Sequence, residues 1–306
     1  MRRAPGLIAT LAVLAGCQAV PGGRQEAETV QALPAPAATA PQPAAPASAP
    51  LPGPSSFVVT GALEQGGWIR GQVPGGTVRA SFERQALSVD EDGRFFAAFD
   101  RDAAAAAELV AELRDGRRVV TPLVVQPRDW QIERVDIARR PGGMTDAFWR
   151  IREPELARIE AARNVGADSR GWAQAFIWPV KGRISGRFGS QRIYRGEPGA
   201  YHSGLDIATG ESGTPFVAPA DGVVTLAATT SFSLEGHLLI IDHGNGLNSA
   251  FLHCSDIAVR EGEVVRQGQY IGNIGATGRA TGPHLHWSMK WRDARLDPLL
   301  FTGPMN

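Results

Sequence analysis

Pro283-His284-Leu285-His286-Trp287-Ser288-Met289-Lys290-Trp291 alternates polar and apolar residues without a break after the proline. Successive side chains of a strand point to opposite faces, so this pattern predicts a strand with His284, His286, Ser288 and Lys290 on one side. Leu285, Trp287, Met289 and Trp291 then enter a core. Both imidazoles are thereby aimed into one cleft. Well upstream, His202-Ser203-Gly204-Leu205-Asp206 offers another imidazole and a carboxylate. Zinc sites that do chemistry keep three protein ligands drawn from His, Asp, Glu and Cys and leave the fourth position to water. Two histidines and one aspartate meet that requirement, with a further histidine left over for proton transfer. A metal-dependent hydrolase is the first hypothesis.

The chain has 306 residues, 43% of them hydrophobic, with 31 basic and 31 acidic side chains. Such a length is a prior for two domains or one large one, and zero formal charge lacks the basic excess of a nucleic-acid binder. Residues 1–17 place Arg2 and Arg3 ahead of an apolar run from Leu7 to Ala15 and end in Leu14-Ala15-Gly16-Cys17. The run is about half the roughly twenty residues that span a bilayer, so it reads as an export signal peptide rather than a transmembrane helix. Leu-Ala-Gly-Cys resembles the lipobox of bacterial lipoproteins, which implies that Cys17 is the lipid anchor; an ordinary cleaved signal peptide is the alternative. By the same resemblance, Gln18 is not the aspartate that retains such proteins in the inner membrane. That implies an outer-membrane position facing the periplasm. With Cys17 acylated, Cys254 is the one remaining thiol, so no intramolecular disulfide is expected, and Cys254 reads as a small buried residue.

Residues 18–55 are an Ala/Pro-rich linker, with no charge between Thr29 and Leu63. Such a stretch tends toward extended polyproline geometry and would reach on the order of 60–110 Å. Residues 56–128 carry short β-type runs at Phe57-Val58-Val59, Trp68-Ile69, Val78 to Phe82, Phe95 to Phe99 and Val119 to Val125. Turn signals such as Pro74-Gly75-Gly76 and Asp115-Gly116 separate them, which predicts a small β-sandwich acting as a spacer or cover. Ala103 to Leu113 is helix-prone by propensity and equally readable as a hairpin strand. Residues 129–177 form a connector with one short helix over 153–164, Pro154 in its first turn and Leu156, Ile159 and Arg163 on an exposed amphipathic face. From 178 to 306 the pattern is again β and rich in glycine turns, and the fold class is all-β with an antiparallel C-terminal sheet.

Residues 178–300 resemble the catalytic domain of the lysostaphin/LytM-type zinc metalloendopeptidases. The resemblance is carried by His202 to Asp206, Ala218-Pro219-Ala220-Asp221-Gly222-Val223-Val224, Asp242-His243-Gly244-Asn245-Gly246, Phe251-Leu252-His253 and Thr277 to Trp287. It implies one Zn2+ per chain, held by His202, Asp206 and His286, with His253 and His284 as catalytic histidines whose roles the sequence does not divide. It further implies a zinc-dependent endopeptidase that hydrolyses cross-links between peptidoglycan stem peptides. The bond is either a pentaglycine bridge or a direct D-alanyl to diamino-acid link. The alternative is a non-catalytic wall-binding module or an activator of cell-wall amidases, as in relatives that have lost ligands; all five pattern residues are present here. His237 and His243 read as structural or exposed, and Ser190 to Tyr201 as one rim of a groove.

Overall fold

The computed structural model describes residues 52–138 and 145–305. The expected signal peptide, the lipobox-like segment with Cys17 and nearly all of the expected linker lie outside those residues. The first strands are β1 (Val58–Ala62), β2 (Trp68–Gln72), β3 (Thr77–Phe82), β4 (Gln85–Ala86), β5 (Arg94–Ala98), β6 (Ala106–Leu113) and β7 (Arg118–Val124). They form two antiparallel sheets, ordered β1-β2-β5 and β4-β3-β6-β7. The ambiguous stretch is a strand: Leu109, Ala111 and Leu113 are buried at every second position, and hairpin pairing to β7 across Asp115-Gly116 overrides the helical propensity of the alanines.

β8 (Ile132–Val135) precedes the single α-helix of the described residues, α1 (Asp146–Arg163). The expected helix over 153–164 is corrected here, because α1 begins seven residues earlier. Thr145 accepts the Phe148 backbone N–H at its N-cap, and Pro154 lies inside the helix rather than in its first turn. An interior proline removes one hydrogen bond, so packing must hold this helix. The expected amphipathic face is also displaced: Leu156 is exposed, whereas Arg152, Glu155 and Ala162 are buried.

The remaining strands are β9 (Arg183–Gly186), β10 (Gln191–Tyr194), β11 (Glu197–Pro198), β12 (Leu205–Ala208), β13 (Pro215–Val217), β14 (Gly222–Phe232), β15 (Gly236–Asp242), β16 (Leu247–Cys254), β17 (Asp256–Ile257), β18 (Val264–Val265), β19 (Tyr270–Asn273), β20 (Leu285–Trp291) and β21 (Ala294–Leu296). An eight-stranded sheet runs β18-β14-β15-β16-β20-β12-β9, with β21 also pairing to β20. Its central register sets Leu252 opposite His286 and His286 opposite Asp206, while Phe251 faces Trp287 and Trp287 faces Leu205. Residues directly opposite one another share a face. One face therefore carries Asp206, His286 and Leu252, and the other carries Leu205, Trp287 and Phe251.

The second face is mostly apolar, with Ser249 buried among its aromatics, and joins the N-terminal strands in one continuous interior. Trp291 meets Phe82 and Phe96, and Trp68 stacks near Phe301. Polar ties seal this junction: Trp68 Nε1 donates to Leu300 O at 2.9 Å, and Arg128 Nη2 donates to the buried Asp297 Oδ2 at 2.8 Å. On the first face, Leu226, Ala228, Leu238, Ile240 and Ala250 make a separate small cluster with Ala162 of α1, and Ile159 and Leu252 pack against it. The helix thus lies on the face that holds the histidines.

Candidate active site

Pleat and register place the site. β12 presents Asp206 beside His286 of β20, and the loop before β12 brings His202 over both. His202 Nε2 lies 3.1 Å from Asp206 Oδ1 and 3.1 Å from His286 Nδ1, and His286 Nδ1 lies 2.8 Å from Asp206 Oδ1. One donor atom from each of the three lies within 4.8 Å of the others. His284 precedes β20 and bridges Gly275; its Nε2 is 3.7 Å from Asp206 Oδ1. His253, at the end of β16, completes the group with its ring centre 5.0 Å from that of His284 and 6.1 Å from that of His286.

Backbone carbonyls fix the tautomers. A carbonyl oxygen only accepts, so Nδ1 of His202, His253 and His284 must carry the proton it donates to Arg187 O, Thr277 O and Gly282 O, at 3.0, 2.8 and 2.9 Å. In the neutral rings Nε2 then keeps its lone pair. For His202 that lone pair points at a carboxylate and at a second imidazole nitrogen, a set of electron-rich atoms that calls for a proton or a cation among them.

Burial opposes ionisation of Asp206, yet hydrogen bonds and charge from His202 and His286 outweigh it and hold the carboxyl far below its ordinary range. Burial alone would lower His202, but the Asp206 hydrogen bond and charge raise it. Burial lowers His286 despite the same carboxylate, and it lowers His253 to about 4, so His253 is neutral at physiological pH. His253 also has a left-handed backbone, with φ of 65°, an uncommon state for a residue with a side chain.

All five histidine and aspartate positions singled out from the sequence meet in this cleft. His243 is instead fully buried on the opposite face, where Nδ1 donates to Asp221 O at 2.7 Å and Nε2 accepts from Ser249 Oγ at 2.8 Å. Cys254 is buried as expected, its thiol pushed up to about 12 by that burial. Two glycines that read from sequence as a turn residue and a motif residue have a further role as clearance. A Cβ at Gly186 would overlap the Asp206 carboxylate, and one at Gly204 would overlap His286 Nε2 and Trp287 O. The glycines were visible in the sequence, but the need for clearance arises only when separate strands close on each other.

Residues 200–298 match the family model described as Peptidase family M23. The chain carries an M23 peptidase domain. Within the curated proteins, the peptidoglycan DD-endopeptidase ShyA of Vibrio cholerae is 38% identical over 131 residues, which is 42% of this chain and 30% of that protein. The DD-carboxypeptidase/endopeptidase Mpg of Neisseria meningitidis is 38% identical over 126 residues, 40% of this chain and 27% of that protein. The chain therefore spans less than a third of either relative. A solved Pseudomonas aeruginosa structure assigned to peptidase M23 is similar with a TM-score of 0.55 and 28% identity, covering 83% of this chain and 95% of that one. That coverage exceeds the M23 domain, so the similarity extends into the elements that precede it.

Proposed function

We propose that this protein is a zinc-dependent endopeptidase that hydrolyses cross-links between peptidoglycan stem peptides. The observation that carries the proposal is the convergence of His202 Nε2, His286 Nδ1 and Asp206 Oδ1 within 4.8 Å beside two further histidines. The donor set fits zinc: two imidazole nitrogens and an ionised carboxylate with glycine clearance behind them. When bound there, zinc would polarise a scissile carbonyl and lower the pKa of a water to about 7.

The residues of the chain supply the rest. Neutral His253, its Nδ1–H held by Thr277 O, presents Nε2 as an acceptor for a proton from water. His284 is held alike by Gly282 O, so its Nε2 also faces the cleft, placed either to relay that proton to the leaving amine or, when protonated, to donate to a developing oxyanion. The relatives named for peptidoglycan DD-endopeptidase activity support a direct cross-link as the bond cut. The signal peptide and lipobox-like Leu14 to Cys17 support an envelope lipoprotein anchored through Cys17 in the outer membrane and facing the periplasm.

Mass analysis of soluble products from purified sacculi incubated with the zinc-loaded protein tests the activity. Release of uncleaved glycan-linked peptides alone, with no cut cross-links, would reject it. Uptake of labelled fatty acid by the wild type and its loss in Cys17→Ala test the anchor.

A further inference from the structure

His253 is held in its left-handed backbone by two loops. Its own N–H donates to Glu235 O at 2.8 Å, and its ring Nδ1 donates to Thr277 O at 2.8 Å. Those loops are knitted together: Arg279 N donates to Leu234 O at 2.9 Å, His237 N donates to Thr277 Oγ1 at 2.9 Å, and Thr277 Oγ1 donates to Cys254 O at 2.9 Å. Gly236 and Gly278 leave no room for a Cβ between them. The turn at 233–235, between β14 and β15, is thus one wall of the mould that shapes His253.

That turn is held by α1. Arg152 Nη1 and Nη2 form a fork on the Glu235 carboxylate at 2.5 and 2.6 Å, and Nη1 also reaches Glu155 Oε2 at 3.0 Å. Glu155 in turn accepts from Ser233 N at 2.6 Å and from Ser233 Oγ at 2.5 Å. The Arg152 and Glu155 side chains are only 8% and 11% exposed, so this is a desolvated network rather than a surface ion pair. Few apolar groups of α1 pack on the sheet, namely the buried Ala162 and the half-buried Ile159. The polar network of Arg152 and Glu155 with Glu235 and Ser233 is therefore the specific contact between helix and turn.

We propose that Arg152, with Glu155, is a positioning residue for His253, and that α1, although outside the residues matched by the M23 model, completes the catalytic geometry. The path runs from the Arg152 guanidinium through Glu235 to the His253 amide, and through Leu234 and Arg279 to the carbonyl of Thr277 that orients the ring. This rests on the peptidase reading for its effect on turnover, but the structural link from Arg152 to His253 is independent of it. Misplacement of a reacting group by about 1 Å costs up to roughly a hundredfold in rate.

The test compares the full zinc-loaded chain with Arg152→Gln, Arg152→Lys and Glu235→Gln. Turnover of a soluble cross-linked wall peptide is measured together with zinc per folded chain, and the His253 amide and imidazole resonances are followed by nitrogen-15 NMR. In Arg152→Gln, kcat per bound zinc is expected to fall about tenfold to a hundredfold with KM within about twofold. The His253 resonances move, and Arg152→Lys, which keeps the charge without the planar fork, restores part of both. If Arg152→Gln does not fold, Glu235→Gln must give the same signature. Full zinc, unmoved His253 resonances and unchanged kcat in a folded variant overturn the proposal, as does a loss that merely follows the folded fraction. A parent that cleaves no wall peptide, with His253 still shifted in Arg152→Gln, leaves the link standing and removes the peptidase reading instead.

Discussion

The two faces of the eight-stranded sheet show how one strand serves opposite ends. Leu285, Trp287, Met289 and Trp291 point into an apolar interior shared with the N-terminal strands, while His286, Ser288 and Lys290 make the other face polar along this strand, beside the small apolar cluster under α1. The apolar face derives its stability mainly from area, each buried aromatic adding hydrophobic free energy, with the indole N–H groups of Trp287 and Trp291 donating to Ser249 Oγ and Asn245 O. The histidine face gives up part of that burial to hold titratable groups, and it holds them by hydrogen bonds that the imidazoles donate to backbone carbonyls, by Asp206 and by the Arg152 network. A sheet is thus stable because of one face and chemically useful because of the other.

This contrast breaks most sharply if the histidine face is emptied. Replacing His202, Asp206 and His286 together with alanine should take zinc from one per chain to none and activity to background, with the fold retained because Trp287 and its neighbours are untouched. Elemental analysis and circular dichroism check both halves; retained stoichiometric zinc would refute the ligand assignment. His284→Ala alone should lower kcat by about 10²- to 10⁴-fold while zinc stays bound, since a proton-transfer group is lost and no ligand is. Steady-state kinetics at measured zinc occupancy decide it.

On the apolar face the effect should fall on stability instead. Trp287 is 0% exposed, lies parallel to Phe251 with ring centres 6.4 Å apart, and donates Nε1–H to Ser249 Oγ at 3.2 Å. Trp287→Ala should cost about 3–5 kcal/mol, read from denaturant unfolding of metal-free protein.

The same interior contains His243, whose pKa burial lowers from 6.5 to about 4. Its unfolded form binds a proton first, so the stability it contributes as a neutral ring is fully present above about pH 6.5 and is lost as pH falls toward 4. The loss should be about 3 kcal/mol. Urea titrations across that window, in the variant with His202, Asp206 and His286 replaced by alanine so that metal release adds nothing, should show the decline, and His243→Asn should remove the His243 share of it, leaving the part due to His253, which burial lowers to about 4 as well.

Much of the site was legible because its signals are local. The strict alternation from His284 to Trp291 encodes which side chains share a face, and a pleated strand has no other way to place them. The strands at 58–62, 68–72, 77–82, 94–98 and 118–124 were visible for the same reason, each being a short β-type run ended by turn residues. α1 was misplaced because its buried face is made of Arg152 and Glu155, charged residues that periodicity arguments assign to solvent. Their burial depends on Glu235 and Ser233, which are remote in sequence.

Local patterns in the amino-acid order suffice for the alternating strand, the turn-separated β character of both halves, and the five residues on which the resemblance to a zinc peptidase rests. Tertiary structure alone decided that His202, Asp206 and His286 converge within 4.8 Å, that Gly186 and Gly204 must lack a Cβ, and that the N-terminal strands share the interior behind Trp287 and Trp291. It alone seated α1 on the face that holds the histidines. The reason is the range of the interactions. Side-chain direction along a strand is fixed by neighbouring dihedral angles and repeats every second residue, whereas clearance, carbonyl orientation and a buried arginine fork exist only between segments that the folded chain brings together.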